Sequence, residues 1–347
     1  MRFYERTLKS GSQTGAFDES TTASLVVPRD RLISQMGLCV SATVVNGAMS
    51  TQTLTKRQLY SIFDKISLNV NGGAGSLAGI NGAEYYDHIK MQLGRDPAVF
   101  IDGVPVDRDG LISVGSAATV VITFEVPIFF RRRVGDELDV SCLLDSRSMS
   151  SLDLEYTTRS GFLPAQTNLT ITGASSATTL YLKEVYATNE ELKNLNAANG
   201  YPMFYNVFYR EQRNLSLTSS TSFTQKFDMQ VQYIHDQITF HPFDTSAGDW
   251  VNAIVSEIYV KNTLGNVGDI DHLRVDMLHS QLEDSFSTSS SPTKGSTMWN
   301  CSIKTGGLDT RGLKSGDLTV AYSTGATFAS GDSLSILYKS KLPAQLS

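Results

Sequence analysis

Three segments decide the fold: Thr119-Val-Val-Ile-Thr-Phe-Glu-Val-Pro-Ile-Phe-Phe130, Ser151-Leu-Asp-Leu-Glu-Tyr-Thr-Thr158 and Thr178-Thr-Leu-Tyr-Leu-Lys-Glu-Val-Tyr186. In the middle segment, Leu152, Leu154 and Tyr156 alternate with polar residues. Alternation with a period of two indicates a β-strand that has one face in water and the other face buried. We therefore expect three strands here, and the apolar face of the middle strand must lie against a second sheet.

The connections between these strands complete the pattern. Residues 131–150 form a long loop that begins with three adjacent arginines and ends in hydroxyl-bearing and small residues. After the third strand, Thr188 or Asn189 can cap a short helix. Its first turn contains Glu190 and Glu191, whose carboxylates interact favourably with the helix dipole. The predicted order is strand, long loop, strand, loop, strand and helical connector.

This order resembles the end of the first β-barrel in double jelly-roll major capsid proteins of tailless icosahedral viruses, the adenovirus-like lineage. The resemblance is carried by three stretches: Phe124-Glu-Val-Pro-Ile-Phe-Phe130, Leu143-Leu-Asp-Ser-Arg-Ser-Met-Ser-Ser-Leu-Asp-Leu-Glu-Tyr156 and Leu182-Lys-Glu-Val-Tyr-Ala-Thr-Asn-Glu-Glu191. The order of these stretches along the chain is the main support for the resemblance.

The resemblance implies an all-β protein with two tandem jelly-roll β-barrels, a double jelly roll, and a few short helices in its loops. Residues 1–20 would form an N-terminal arm, residues 21–195 the first jelly roll and residues 196–347 the second. At 347 residues the chain is too long for one ordinary domain and long enough for two. No residue-level repeat relates the two halves, so a duplicated barrel is expected from architecture and resemblance alone.

The same resemblance implies the function of a major capsid protein of an icosahedral virus, such as a bacteriophage. The chain would form homotrimers of pseudo-hexagonal outline, in a shell that is commonly built around an internal membrane. Its partners would be copies of itself, minor capsid or penton proteins and, through the N-terminal arm, membrane lipid. The protein would be made in the host cytoplasm and act in the virion by assembly, not as an enzyme.

The composition favours a structural role over binding to nucleic acid. A net charge of −6 gives no general attraction to nucleic acid, so no specific nucleic-acid binding is expected. Only 18% of the residues are charged, which suits a β-rich protein with much of its surface in neutral contacts. Cys39, Cys142 and Cys301 are odd in number and far apart, so they indicate neither a disulfide framework nor a zinc site. We expect no cofactor.

The N-terminal segment lacks the apolar core of a signal peptide. No window of the sequence approaches the roughly 18 to 20 apolar residues that a membrane span requires. We therefore expect the protein to be made and used without translocation.

The N-terminal arm is the first candidate for contacts in assembly. It combines cations with aromatic side chains, and the candidate residues are Arg2, Phe3, Tyr4 and Arg6. The segment is either a frayed terminus or an arm that orders only against a neighbouring subunit or a membrane.

The second candidate is the densest run of charge in the chain, Arg131, Arg132 and Arg133. This run is either a solvated loop or a group that binds lipid head groups or acidic residues of a neighbouring subunit. The acidic partners would be Asp136, Glu137 and Asp139.

The strongest enzymatic motif is Gly73-x-Gly-x-x-Ala78, which lies between a predicted strand at 65–70 and a predicted helix at 83–93. A dinucleotide site would require a parallel βαβ unit, and the turn-rich segment 96–115 that follows disfavours one. A glycine-rich loop is the favoured interpretation. Asp107 and Asp109 precede a glycine in a fragment of a calcium loop, for which a hairpin turn is favoured.

The histidines have neither metal-binding nor catalytic spacing, and we expect them to be at the surface or partly buried: His88, His235, His241, His272 and His279. Two other functions stay open. One is a carbohydrate-active or deglycosylating enzyme on paired jelly rolls, because carboxylates distant in sequence could form its site. The other is a viral spike or adhesin, which is also β-rich and rich in serine and threonine.

Other segments have simpler predictions. Residues 53–63 are expected to form a short helix capped by Thr53 or Thr55. Residues 271–286 are expected to form a strand that runs into a short helix. Residues 287–297 are a low-complexity, exposed loop.

Overall fold

Antiparallel strands form most of the regular structure of this protein, and short helices lie in the connections. The computed structural model describes residues 4–15, 17–30, 32–71, 79–107, 110–131, 140, 142–163, 167–198, 205–214, 224–244, 249–250, 255–262, 269–274, 295–301, 307–324 and 332–343. The chain divides into two compact units, one formed by Met1–Phe208 with Pro343–Ser347 and the other by Tyr209–Leu342.

The N-terminal part of the chain contains thirteen strands within its described residues. These are β1 (Tyr4–Gly15), β2 (Thr22–Val26), β3 (Leu32–Asn46), β4 (Gln52–Leu54), β5 (Phe63–Val70), β6 (Val99–Ile101), β7 (Val104–Pro105), β8 (Ile112–Val114), β9 (Thr119–Phe129), β10 (Leu144–Asp145), β11 (Leu152–Thr158), β12 (Leu169–Ile171) and β13 (Ala177–Tyr186). The helices are α1 (Lys56–Tyr60), α2 (Gly82–Leu93) and α3 (Asn189–Ala198).

The described C-terminal part adds ten strands. These are β14 (Tyr205–Asn214), β15 (Thr224–Asp228), β16 (Ile234–Asp244), β17 (Asp249–Trp250), β18 (Val255–Asn262), β19 (Asp269–Arg274), β20 (Thr297–Asn300), β21 (Leu308–Asp309), β22 (Leu318–Thr324) and β23 (Ser333–Pro343). Of the predicted strand and helix at 271–286, the strand is observed as β19, and residues 275–286 lie outside the described residues.

The alternating segment behaves as its sequence predicts. Leu152, Leu154 and Tyr156 of β11 are buried, whereas the residues between them are partly exposed. Burying a leucine side chain stabilises a fold by about 1.5–3 kcal/mol, which fixes the register of the strand. The Tyr156 hydroxyl shares a hydrogen bond with the Thr178 hydroxyl of β13, so side chains of two different sheets meet in one core.

The first unit is a sandwich of two principal sheets. The larger sheet has the order β1-β13-β3-β9-β6-β7, and β10 and β12 also pair with β3. The smaller sheet has the order β2-β11-β5, and β4 pairs with β8 separately. The strand β7, which contains only Val104 and Pro105, ends the larger sheet.

The second unit has a similar strand order. In each larger sheet the last strand lies between the first and the third, as β13 lies between β1 and β3 and β23 lies between β14 and β16. In each smaller sheet the second strand pairs with a late one, giving the orders β2-β11-β5 and β15-β22-β18-β19. The core of the second unit lies between its two sheets and includes Ile238, Phe240, Ile258, Val260 and Ile336. The two units therefore share a topology although their sequences show no repeat.

The N-terminal segment differs from the expectation that it orders only against a neighbour. The strand β1 pairs antiparallel with β13, from Tyr4 opposite Tyr186 to Gly15 opposite Thr178. Residues 4–15 therefore order against the chain's own sheet. The sequence gives little sign of this strand, because a strand held by backbone hydrogen bonds at the edge of a sheet needs no apolar alternation.

Two predicted helix starts are confirmed with their caps. In α1 the Thr55 hydroxyl accepts from Gln58 N at 3.1 Å, and Gln58 Oε1 accepts from Thr55 N at 2.8 Å. The same reciprocal box opens α3, where Glu191 N donates to the Thr188 hydroxyl at 3.2 Å and Glu191 Oε2 accepts from Thr188 N at 2.9 Å. Hydrogen bonds from the backbone and then the hydroxyl of Thr188 lower the pKa of the Glu191 carboxyl.

Candidate assembly surface

Three of the five histidines are core residues, which corrects the expectation of surface or partly buried positions for these three. They are His88, His235 and His241, and each is fully buried. The His235 ring is 2.7 Å from the Ser340 hydroxyl and 2.7 Å from the Gln230 carbonyl oxygen, so hydrogen bonding offsets its burial. His272 lies in β19, and His279 lies outside the described residues. Within the part of the chain that the structure describes, no group of histidine, cysteine and acidic side chains could hold a metal ion.

The glycine-rich motif does not belong to a dinucleotide fold. The preceding strand β5 pairs antiparallel with β11, and every named strand pair around it is antiparallel, so the parallel βαβ unit is missing from the described first unit. Residues 72–78 themselves lie outside the described residues. The helix that follows starts at Gly82, where the Asn81 side chain accepts from Ala83 N at 3.0 Å.

Charged side chains of α1 and α2 form an ion pair with each other within the first unit. The Arg57 guanidinium donates to both carboxylate oxygens of Asp87 at 2.9–3.0 Å, and the Asp87 side chain is 1% exposed.

A second ionic group in this region is centred on Asp96. Its carboxylate lies 2.8 Å from Lys90 Nζ and accepts from the Tyr86 hydroxyl at 2.8 Å. Burial, followed by the charge of Asp96, raises the pKa of Tyr86, so this phenol stays a hydrogen-bond donor. The Arg57–Asp87 pair links α1 to α2, and the contacts of Asp96 link α2 to the loop that follows it, so both groups have a structural role.

The arm candidates fall partly within the described residues. Tyr4 lies opposite Tyr186 and Arg6 lies opposite Glu184 in the pairing of β1 with β13. The other two candidates, Arg2 and Phe3, lie outside the described residues.

In the arginine run, only Arg131 is described. It follows the end of β9, where Phe130 N donates to the Ser34 carbonyl oxygen at 3.1 Å. Arg131 is 8% exposed, so the solvated-loop interpretation is wrong for this residue. The rest of the candidate group lies outside the described residues: Arg132, Arg133, Asp136, Glu137 and Asp139.

A second surface, which sequence reasoning missed, is the outward face of the larger sheet. One row of directly paired residues crosses five strands: Ala177 on β13, Ser41 on β3, Thr123 on β9, Phe100 on β6 and Pro105 on β7. On one side of it a shorter row pairs Thr43 with Val121. On the other side a row runs from Thr179 through Cys39 to Glu125. We call the uncharged members of these rows the neutral face: Ala177, Ser41, Thr123, Phe100, Pro105, Thr43, Val121, Thr179 and Cys39.

The neutral face displays apolar side chains and has charge only at its border. Phe100 is 37% exposed and Val121 is 39% exposed. The bordering carboxylates are Glu125, which ends the row of Thr179 and Cys39, and Asp102, whose side chain accepts from Val121 N at 2.8 Å in the turn before β7. The sequence does not reveal this face, because its members are alternate residues of three strands and single residues of two short ones.

The outward face of the smaller sheet is charged. Its central strand presents Asp153, Glu155 and Thr157, and Thr157 lies opposite Lys65 of β5. The Lys65 ammonium lies 3.6 Å from the Glu155 carboxylate, with the side chains 50% and 25% exposed. We call this the charged face. It has the composition of an ordinary solvated surface.

One end of the first unit is held together by a buried amide. Asn46 is 1% exposed, and its Nδ2 donates to the carbonyl oxygens of Ser50 at 2.9 Å, Val114 at 3.1 Å and Gly115 at 2.7 Å. Its Oδ1 accepts from Ala48 N at 2.8 Å. This side chain therefore ties the turn after β3 to the turn between β8 and β9.

Comparison with known proteins gives matches at the level of structure. A scan against protein-family models and a search of curated proteins find no match to the sequence. Among solved structures, the MCP of Sulfolobus turreted icosahedral virus (STIV) matches with a TM-score of 0.73 at 16% identity, covering 99% of this chain and 97% of that chain. The major capsid protein P2 of bacteriophage PM2 matches with a TM-score of 0.56 at 9% identity, covering 99% of each chain.

The chain has the double jelly-roll fold. The PBCV-1 virus capsid matches as well, with a TM-score of 0.57 at 10% identity and coverage of 98% of this chain and 94% of that chain. The all-β class, the double jelly roll and the short helices in its loops are thus confirmed. Within the described residues of this double jelly roll, no helix is long and apolar enough to cross a membrane.

Proposed function

We propose that this chain is a major capsid protein, the subunit that builds the shell of an icosahedral virus. The observation that carries the proposal is the extent of the structural match, which spans nearly the whole of this chain and of the STIV and PM2 proteins. The PM2 relative is a major capsid protein, and the PBCV-1 relative is part of a virus capsid. The role is structural, and its place is the capsid shell of the virion.

The proposed assembly unit is a homotrimer. One jelly roll would come from residues 21–195 and the other from residues 196–347. Three chains would therefore place six barrels of similar topology around a ring. The repeated topology of the two units supports this pseudo-hexagonal arrangement, since similar sandwiches can occupy equivalent places. Such trimers would meet minor capsid or penton proteins in a shell of the kind commonly built around an internal membrane, and no nucleic-acid contact is part of the proposal.

Two segments are proposed to act in contacts between subunits. Arg2 and Phe3, which precede β1, and Tyr4 and Arg6, at its start, would contact a neighbouring subunit or membrane lipid. The arginine run would use Arg132 and Arg133, because the burial of Arg131 supports a role inside its own subunit.

The mass of the purified protein in solution, followed by electron microscopy, tests the function. Light scattering should give three times the 37.9 kDa of one chain, and concentrated samples should form hexagonal tiles. A stable monomer that hydrolyses glycosidic or glycopeptide bonds would favour the enzyme on paired jelly rolls. A fibrous trimer that binds glycans and forms no tiles would favour a spike or adhesin.

A further inference from the structure

We propose that the neutral face of the first unit contacts a second copy of this chain. This inference rests on the proposed function and adds the surface through which one copy meets the next. It starts from a contrast within one sandwich, whose two outward faces have different chemistry. The neutral face has carboxylates only at its border, whereas the charged face has Asp153, Glu155 and Lys65 near its centre.

The charge of the chain favours an uncharged contact between copies. Each copy carries a net charge of −6, so a contact that brought like charges together would add to the repulsion between two copies. The central row of the neutral face contains no ionisable side chain from Ala177 to Pro105. Its hydroxyl groups and apolar atoms can be covered by a neighbour without leaving a buried charge.

Exposed apolar side chains at the same place strengthen the argument. Phe100 and Val121 stand on neighbouring strands of this face and are more than one-third exposed. Aromatic side chains are enriched where protein surfaces meet, because they bury a large area with few rotatable bonds. On the charged face the central strand presents Asp153, Glu155 and Thr157, and the exposed Val26 of β2 lies directly opposite Asp153, so its apolar surface borders a carboxylate.

The neutral face is large enough to form a substantial part of an interface. Strands lie about 4.8 Å apart and residues on one face follow about every 6.7 Å along a strand, so nine residues cover about 290 Å². A standard interface buries about 800 Å² on each partner. The face would thus supply about a third of one side, and loops around it would supply the rest.

A pair of matched threonines tests the proposal. Thr123 lies at the centre of the neutral face and Thr157 lies on the charged face, and each is a partly exposed residue between two buried neighbours. Thr123→Glu and Thr157→Glu add the same charge to the same kind of strand position. Thermal melting followed by circular dichroism checks that each variant folds.

We expect Thr123→Glu to weaken association by at least about tenfold, measured by sedimentation over a dilution series, because a carboxylate would be buried without a partner. Thr157→Glu should associate as the wild type does. Equal association of the two variants and the wild type would overturn the proposal while leaving the function intact. Failure of the wild type itself to associate would instead count against the proposed function.

A measurement on the wild type covers the case in which Thr123→Glu does not fold. Cys39 lies on the neutral face and is partly exposed, whereas Cys142 and Cys301 are buried. A maleimide probe should label Cys39 in the dissociated chain, and this labelling should be lost in the assembled form. Equal labelling of Cys39 in both forms would contradict the proposal.

Discussion

Replacing Asn46 with aspartate changes one amide group to a carboxylate at constant shape, at a site that holds two turns together. The two N–H groups of the wild-type amide are shared among three carbonyl oxygens at 2.7–3.1 Å. Aspartate lacks both N–H groups, and the loss of each donor costs about 1 kcal/mol net. Its second oxygen would also face carbonyl oxygens in a site that is 1% exposed, at a further cost of about 1–3 kcal/mol.

We therefore expect Asn46→Asp to lower the free energy of unfolding by about 3–5 kcal/mol. For a unit of about 150–250 residues, a loss of 3 kcal/mol corresponds to a fall in Tm of about 6–12 °C. Urea denaturation and calorimetry measure the two quantities. The matched control is Gln52→Glu, because Gln52 Nε2 makes one exposed hydrogen bond, to the Ser50 hydroxyl at 3.0 Å. That variant should change stability by less than about 0.5 kcal/mol. A loss below about 1 kcal/mol for Asn46→Asp would refute the reasoning.

Three further substitutions test other parts of the first unit. Asp87→Asn removes the buried carboxylate that pairs with Arg57 and should lower the free energy of unfolding in urea by about 3 kcal/mol. Asp64→Asn, in the exposed pair with Arg159, should lower it by less than about 1 kcal/mol. Equal losses for the two variants would contradict this prediction. Gly37→Ala places a Cβ 2.2 Å from a carbonyl oxygen and should destabilise the unit by about 1–3 kcal/mol, unlike Gly47→Ala, whose nearest contact is 3.9 Å away. Glu191→Ala should lower Tm at neutral pH; because the folded pKa of Glu191 is lowered, its stabilisation is present above the unfolded pKa and fades as pH falls through the folded value. A difference in Tm that persists at the lowest pH would contradict the last prediction.

The sequence predicts those elements whose side chains carry the pattern. The alternation of Leu152, Leu154 and Tyr156 is a direct consequence of burial on one face, so it identifies β11 without any knowledge of its partners. The cap of α1 at Thr55 is equally local, since the residues that form it are three positions apart. Such features depend on neighbours in sequence, and for this reason they can be predicted.

Features that depend on distant pairing could not be predicted in the same way. β1 is held by the backbone of β13, and its residues show no alternation that reveals this. The hydrogen bonds of Asn46 reach residues 68 and 69 positions away, so nothing near Asn46 in the sequence marks it. The neutral face likewise exists only once the register places Thr123 beside Ser41 and Phe100.

The edge strand β7 affects how copies of this chain can meet at high concentration. Exposed sheet edges recruit further strands, which leads to fibrous aggregates. Here the larger sheet stops at a strand of two residues, one of which is Pro105, and proline has no N–H to offer an incoming strand. Growth of the sheet by strand addition is blocked on this side, so crowded copies are directed to meet through side chains instead of through backbone hydrogen bonds.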